Sequence, residues 1–77
     1  MTFKALETVV LTRDLPEHDL CAGDLGAIVE VYGPDEIEVE FVTASGRTNA
    51  LVTLNSTDVR AIADSDLVAV RPTKQPV

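Results

Sequence analysis

The side chains with chemistry to offer gather in one polar stretch. His18 and Cys21 stand three apart there, with Asp14, Glu17 and Asp19 close by. A structural zinc site needs four such ligands, and this chain has a single histidine and a single cysteine, so the set falls short. A thiol nucleophile needs a base that the fold holds against it, and nothing in this spacing imposes that contact. Glu30, Glu38 and Glu40 have the residue types of a paired-carboxylate hydrolase. Such pairs work in a cleft that drives their pKa values apart, whereas alternation sets these on the outward face of strands. No G-x-x-x-x-G-K-[ST] or G-x-G-x-x-G stretch occurs, which removes the phosphate cradles of nucleotide enzymes. The expectation is a protein with no catalytic activity, no cofactor and no metal. The rival is a Cys21/His18 thiol enzyme, which requires a thiol pKa well below its ordinary value.

The elements that must carry these residues are short strands. Ala22-Gly23-Asp24-Leu25-Gly26 reads as a tight turn, with Gly23 free to take positive φ. A bulge or a close backbone approach is expected at Gly26. A β-branched run follows to Tyr32, and residues 5–13 before it read as the first strand. Pro16 ends that strand, and a long polar loop over residues 14–23 joins the two, with Leu20 and Leu15 turned inward to hold it. Gly33-Pro34-Asp35 makes the next turn.

Residues 36–42 alternate most cleanly. Ile37, Val39 and Phe41 face one way, and Glu36, Glu38 and Glu40 the other. A three-residue turn sets Val29 opposite Val39, Val31 opposite Ile37 and Glu30 opposite Glu38. Like charges so placed repel by a few tenths of a kcal/mol or more (~0.2–1), which solvent or a nearby Arg47 can relieve. A four-residue turn at residues 43–46 then aims Ala50, Val52 and Leu54 inward and leaves Leu51 outward. Residues 55–58 suit one 3₁₀ turn. Residues 59–62 fit a short strand better than a helical turn, although Ser56 would cap the latter. Residues 64–66 turn again, residues 67–71 add a short extra strand or turn, and residues 72–77 form a loose tail.

Composition bounds the rest. One domain of 77 residues buries only about 60–65% of its unfolded surface, so its stability is of order 3–5 kcal/mol. Thirteen acidic residues against six basic give a net charge of −7. That sign is wrong for tracking a phosphate backbone or an anionic membrane surface. One cysteine cannot form an internal disulfide, so a reducing cytoplasm is expected. The N-terminal residues lack the apolar run of a signal peptide.

The Gly23-Asp24-Leu25-Gly26-Ala27-Ile28-Val29-Glu30 stretch resembles the G-D-x-G-x-V turn and strand of SH3-like barrels, a motif of fold and not of function. More closely, the chain resembles a family of uncharacterised small bacterial proteins, a domain-of-unknown-function family. The residues that carry this resemblance run from Glu7 to His18 (E-T-V-V-L-T-R-D-L-P-E-H), then Ala22 to Gly26 (A-G-D-x-G). They continue through V-E-V-Y, E-V-E-F-V, Gly46 to Leu54 (G-R-T-x-A-L-V-T-L) and Asp58-Val59-Arg60. The resemblance implies an all-β, five-stranded SH3-like barrel over a single domain. It carries no established activity, and such families often sit among toxin–antitoxin or immunity gene pairs.

These readings converge on a small acidic, non-catalytic protein-binding module, of which an antitoxin-like or immunity role would be one instance. The candidate partner-binding residues are Arg13, Glu17, His18, Glu30, Glu38, Glu40, Arg47 and Asn49. They are to act through the loop at residues 14–23 and the turns at Gly33 and Gly46 around one open face. The alternative is a structural subunit that adds an edge strand to a larger assembly. Neither nucleic acid nor membrane is an expected partner. A homodimer is, because Leu67-Val68-Ala69-Val70 is an uncharged, β-prone run behind a short hinge, suited to exchange between protomers.

Overall fold

The computed structural model describes residues 3–73. Five strands form one antiparallel sheet: β1 (Thr8–Leu11), β2 (Leu25–Val31), β3 (Glu36–Val42), β4 (Thr48–Asn55) and β5 (Val59–Ala61). Their order across the sheet is β4-β3-β2-β1-β5. One 3₁₀ turn, Pro16–His18, lies between β1 and β2, and a second, Ser56–Asp58, between β4 and β5. The fold is all-β, as the alternation and turn chemistry predict.

The second 3₁₀ turn decides the shape. It joins the two outermost strands of the sheet, and its ends are tied beside their neighbours: the Ser56 N–H donates to the carbonyl of Asp35, just before β3, and the N–H of Thr12, just after β1, to the Asp58 carbonyl. In a flat five-stranded sheet those edges would lie about 19 Å apart. The link from Asn55 to Val59 spans at most about 14 Å fully extended. The sheet therefore curls on itself, and a small barrel-like core is the result. Asn55 caps the turn by accepting the Thr57 N–H at 2.9 Å, while Asp58 reaches back to the Asn55 N–H at 3.2 Å, a reciprocal capping box.

The concave side holds Val9, Leu11, Ile28, Ile37, Val39, Phe41, Val52, Leu54 and Val59, with Phe3, Leu15 and Leu20 closing the ends. Leu15 and Leu20 pair with each other as a one-bridge ladder and hold the loop down. Gly26 sits where β2 passes beneath this core. A Cβ there would lie 2.5 Å from Val39 Cγ1 and 2.9 Å from Phe41 Cε1, so close approach, and not a bulge, is its reason. Gly23 takes φ +97° in the turn before it.

Between β3 and β4 the inward set is the expected one but the pairing is not. Ile37, Val39 and Phe41 face Leu54, Val52 and Ala50, two places on from a plain four-residue turn, because Val42 pairs with Thr48 and Asn49 is an extra residue in a bulge. Ala50 packs against the core and Leu51 points out. Between β2 and β3 the expectation holds in part. Val31 faces Ile37 and Glu30 faces Glu38, but Val39 faces Ile28, because Val29 is an extra residue in a bulge. The bulge hands the inward position to Ile28 and leaves Val31 exposed.

Of the extra strand or turn expected over residues 64–71, the structure has the turn, at residues 64–65, and no strand over residues 67–71. They run along the outer face of the sheet, and Leu67, Val68 and Val70 stay exposed. Of the tail expected over residues 72–77, Pro72 and Thr73 carry no regular structure, and residues 74–77 lie outside the described residues.

Candidate functional site

Two surfaces carry the chain's exposed chemistry. The first is the outer face of β2, β3 and β4. Register brings Glu30, Glu38 and Thr53 into one row, and Ala27, Glu40 and Leu51 into the next. Tyr32 closes one side, its hydroxyl donating to Glu38 Oε1 at 3.0 Å. That bond, reinforced by burial and by the charges of Glu38, Glu30 and Glu36, raises the Tyr32 phenol above its ordinary pKa. The Thr48 hydroxyl donates to Glu40. None of these glutamates takes an arginine or lysine among the described residues. Of the two reliefs open to Glu30 and Glu38, solvent and Arg47, Arg47 pairs with neither glutamate, and Tyr32 serves Glu38. Arg47 lies exposed at the β3–β4 turn, and its N–H donates to Thr43 Oγ1 at 3.2 Å. Asn49 is the extra residue of a bulge, since Phe41 pairs with Ala50 and Val42 with Thr48.

The second surface is the loop from Thr12 to Asp24. Glu17 and His18 lie exposed in its 3₁₀ turn, and Cys21 is a free, exposed thiol. Arg13 donates from Nε to Asp58 Oδ1 at 2.9 Å, across 45 residues of sequence. Among the described residues no group of three or more His, Cys, Asp and Glu side chains could hold a metal ion. Chain direction separates the predicted loops. The 14–23 loop and the Gly46 turn lie at one end of the meander, and the Gly33 turn at the other, so the three do not surround one face. The structure thus brings Glu30, Glu38 and Glu40 together and leaves Arg13, Glu17 and His18 as a separate group.

A recurring device escaped the sequence reading. Asp24, Asp58 and Asp66 each accept the N–H three residues back, from Cys21 at 2.8 Å, Asn55 at 3.2 Å and Ala63 at 2.7 Å. Each also takes one arginine: Arg71, Arg13 and Arg60 respectively. Burial alone would raise the Asp24 carboxyl. Bonds from Arg71 and the Cys21 amide outweigh it and hold the group below the usual carboxylate range. Arg60, then the Ala63 amide, lowers Asp66 to about 2. The visible signal was an aspartate at the fourth place of each turn, in C-A-G-D, N-S-T-D and A-D-S-D.

A sheet curled into one small barrel-like core, with an acid outer face and its turns locked by aspartates, defines a compact all-β domain. Residues 5–61 match the family described as Domain of unknown function (DUF4926), and the chain belongs to that family. Comparison with curated proteins and with solved structures returned no match.

Proposed function

We propose that this domain is a protein-binding module of the SH3-like barrel class, non-catalytic, and working in a bacterial cytoplasm on a partner with a basic surface. One observation carries the reading. Glu30, Glu36, Glu38 and Glu40 share the outward side of β2 and β3 with no basic partner among the described residues, while Leu51 and Val42 stand exposed alongside. An uncompensated acid field with an apolar neighbour suits a cationic partner, whose approach it steers and whose apolar residues it then covers. An antitoxin-like or immunity role is one instance. The β4-β3-β2-β1-β5 order and the 3₁₀ closure support the SH3-like class.

The test is capture from the native host with wild-type protein and with Glu38→Lys/Glu40→Lys, followed by salt titration of the captured partner. Loss of binding on reversal supports the acid face, and binding that survives reversal at every salt concentration contradicts it. A second reading, an edge strand offered to a larger assembly, is favoured by β4. That strand is the sheet's outer edge, carries no charge from Thr48 to Asn55, and shows Leu51 54% exposed. The same charge reversal separates the two: an assembly paired through the β4 backbone survives Glu38→Lys/Glu40→Lys, and an acid-steered partner is lost.

A further inference from the structure

We propose that Asp24, with the Asp19 carbonyl, is a recognition site for an arginine carried on an extended apolar segment, filled in cis by residues 62–71 and in trans by the same segment of a second copy. The Arg71 guanidinium meets it side-on: Nε donates to Asp24 Oδ1 at 3.0 Å, and Nη2 to Oδ2 at 2.6 Å and to the Asp19 carbonyl at 2.8 Å. A planar fork fits this arrangement and an ammonium does not. The domain builds the acceptor without help from the segment. The Cys21 N–H holds Asp24 Oδ2 at 2.8 Å, the Leu11 N–H donates to the Asp24 carbonyl at 2.9 Å, and the Gly23 N–H to the Leu11 carbonyl at 2.8 Å. The acceptor lies within the residues matched to the family, and the segment lies beyond them.

The segment is held like a ligand and not like a strand. Beyond Arg71 it is tied to the sheet by the Arg60–Asp66 pair, while the bonds from the Asp66 N–H to the Ala63 carbonyl and from the Ala63 N–H to the Asp66 carboxylate lie within the segment. Between segment and sheet lies a cleft of about 90 Å³ lined by Val10, Leu25, Arg60, Ile62, Leu67 and Val68 among others. Val10 points away from the barrel core, yet is only 6% exposed. Leu67 and Val70, by contrast, are 96% and 97% exposed. Exchange keeps every Asp24–Arg71 contact and adds something the single chain lacks. Two segments crossing side by side about a two-fold axis cover each other's Leu67 and Val70. The uncharged run 67–70 makes that approach free of the repulsion that the acid face would impose.

The experiment uses full chains and a fluorescently labelled peptide of residues 62–73, read by anisotropy. Arg71→Ala frees the site, so this variant binds the peptide at least tenfold tighter than wild type, whose own tail competes. The peptide with lysine in place of arginine binds Arg71→Ala at least tenfold more weakly, a control that leaves the protein untouched. Arg71→Ala/Asp24→Asn binds neither. Equal binding of the arginine and lysine peptides, or none to Arg71→Ala, overturns the site. In sedimentation, wild type forms a dimer as concentration rises and Arg71→Ala does not. A single 8.3 kDa species at every concentration overturns the second copy as occupant. Glu30, Glu38 and Glu40 are unaltered throughout, so failure here is distinct from failure of the acid-face reading.

Discussion

The aspartates and the glutamates of this chain do different work. Asp24, Asp58 and Asp66 lie at turns, each fixed by a backbone N–H and an arginine drawn from elsewhere in the fold. Glu30, Glu36, Glu38 and Glu40 lie on strands and take no cation among the described residues. The difference follows from reach. A short carboxylate at the fourth place of a turn falls on the N–H that opens it. That leaves it oriented for a guanidinium, whereas a strand glutamate stands on the outer face, where Glu38 and Glu40 meet only neighbouring hydroxyls. One set joins the chain to itself through arginines; the other takes only the hydroxyls of Tyr32 and Thr48 and, in the function proposed above, meets the partner.

The sharpest break comes from below both sets. Gly26→Ala puts a methyl group into Val39 and the Phe41 ring, and overpacking of that kind costs about 1–3 kcal/mol. Against a stability of roughly 3–5 kcal/mol it leaves a domain that urea unfolds at a much lower midpoint. Next comes Asn55→Ala, which strips the cap from the turn that closes the barrel. It is expected to cost about 1 kcal/mol, read as a lower midpoint with an unchanged slope. Glu38→Gln acts in the opposite direction. It removes half of a like-charge pair, and stability rises by a few tenths of a kcal/mol (~0.2–0.5) at low salt. A fall after Glu38→Gln would mean that the strand glutamates also hold the fold together.

Most of the strand plan was legible because alternation marks which residues face the core even where a bulge shifts the pairing. In β3 and β4 a register one residue off would have aimed Asn49 and Thr53 at the core. The bulge at Val29 left no such mark, since Ala27 to Val31 offers apolar residues on both faces and either could turn inward. The run from Leu67 to Val70 has a strand's composition, but composition cannot supply a partner strand, and Arg71 instead pins the segment beside the loop. The arginine partners were invisible for the same reason. Arg13 and Arg71 reach aspartates 45 and 47 residues away, and sequence spacing says nothing at that range. The glutamate face was readable because it needs only period two.

Acid titration sharpens the contrast further. Arg60 and the Ala63 amide stabilise the charged form of Asp66, so its folded pKa, about 2, lies below the unfolded value of about 3.9. The stabilisation is therefore complete above the unfolded value and is lost as pH falls toward 2. Carboxyl NMR resolves this as an Asp66 midpoint near 2 in wild type that returns toward 3.9 in Arg60→Ala. A midpoint unmoved by that substitution would remove Asp66 from the locked set.

The measurement closest to the central claim is the association rate of the host-captured partner as a function of salt, for wild type and for Glu38→Lys/Glu40→Lys. The wild-type rate should fall as salt rises from low to physiological strength. The reversed variant should bind slowly at low salt and lose that dependence. Equal rates and equal salt slopes for the two proteins would contradict an acid face that recruits the partner.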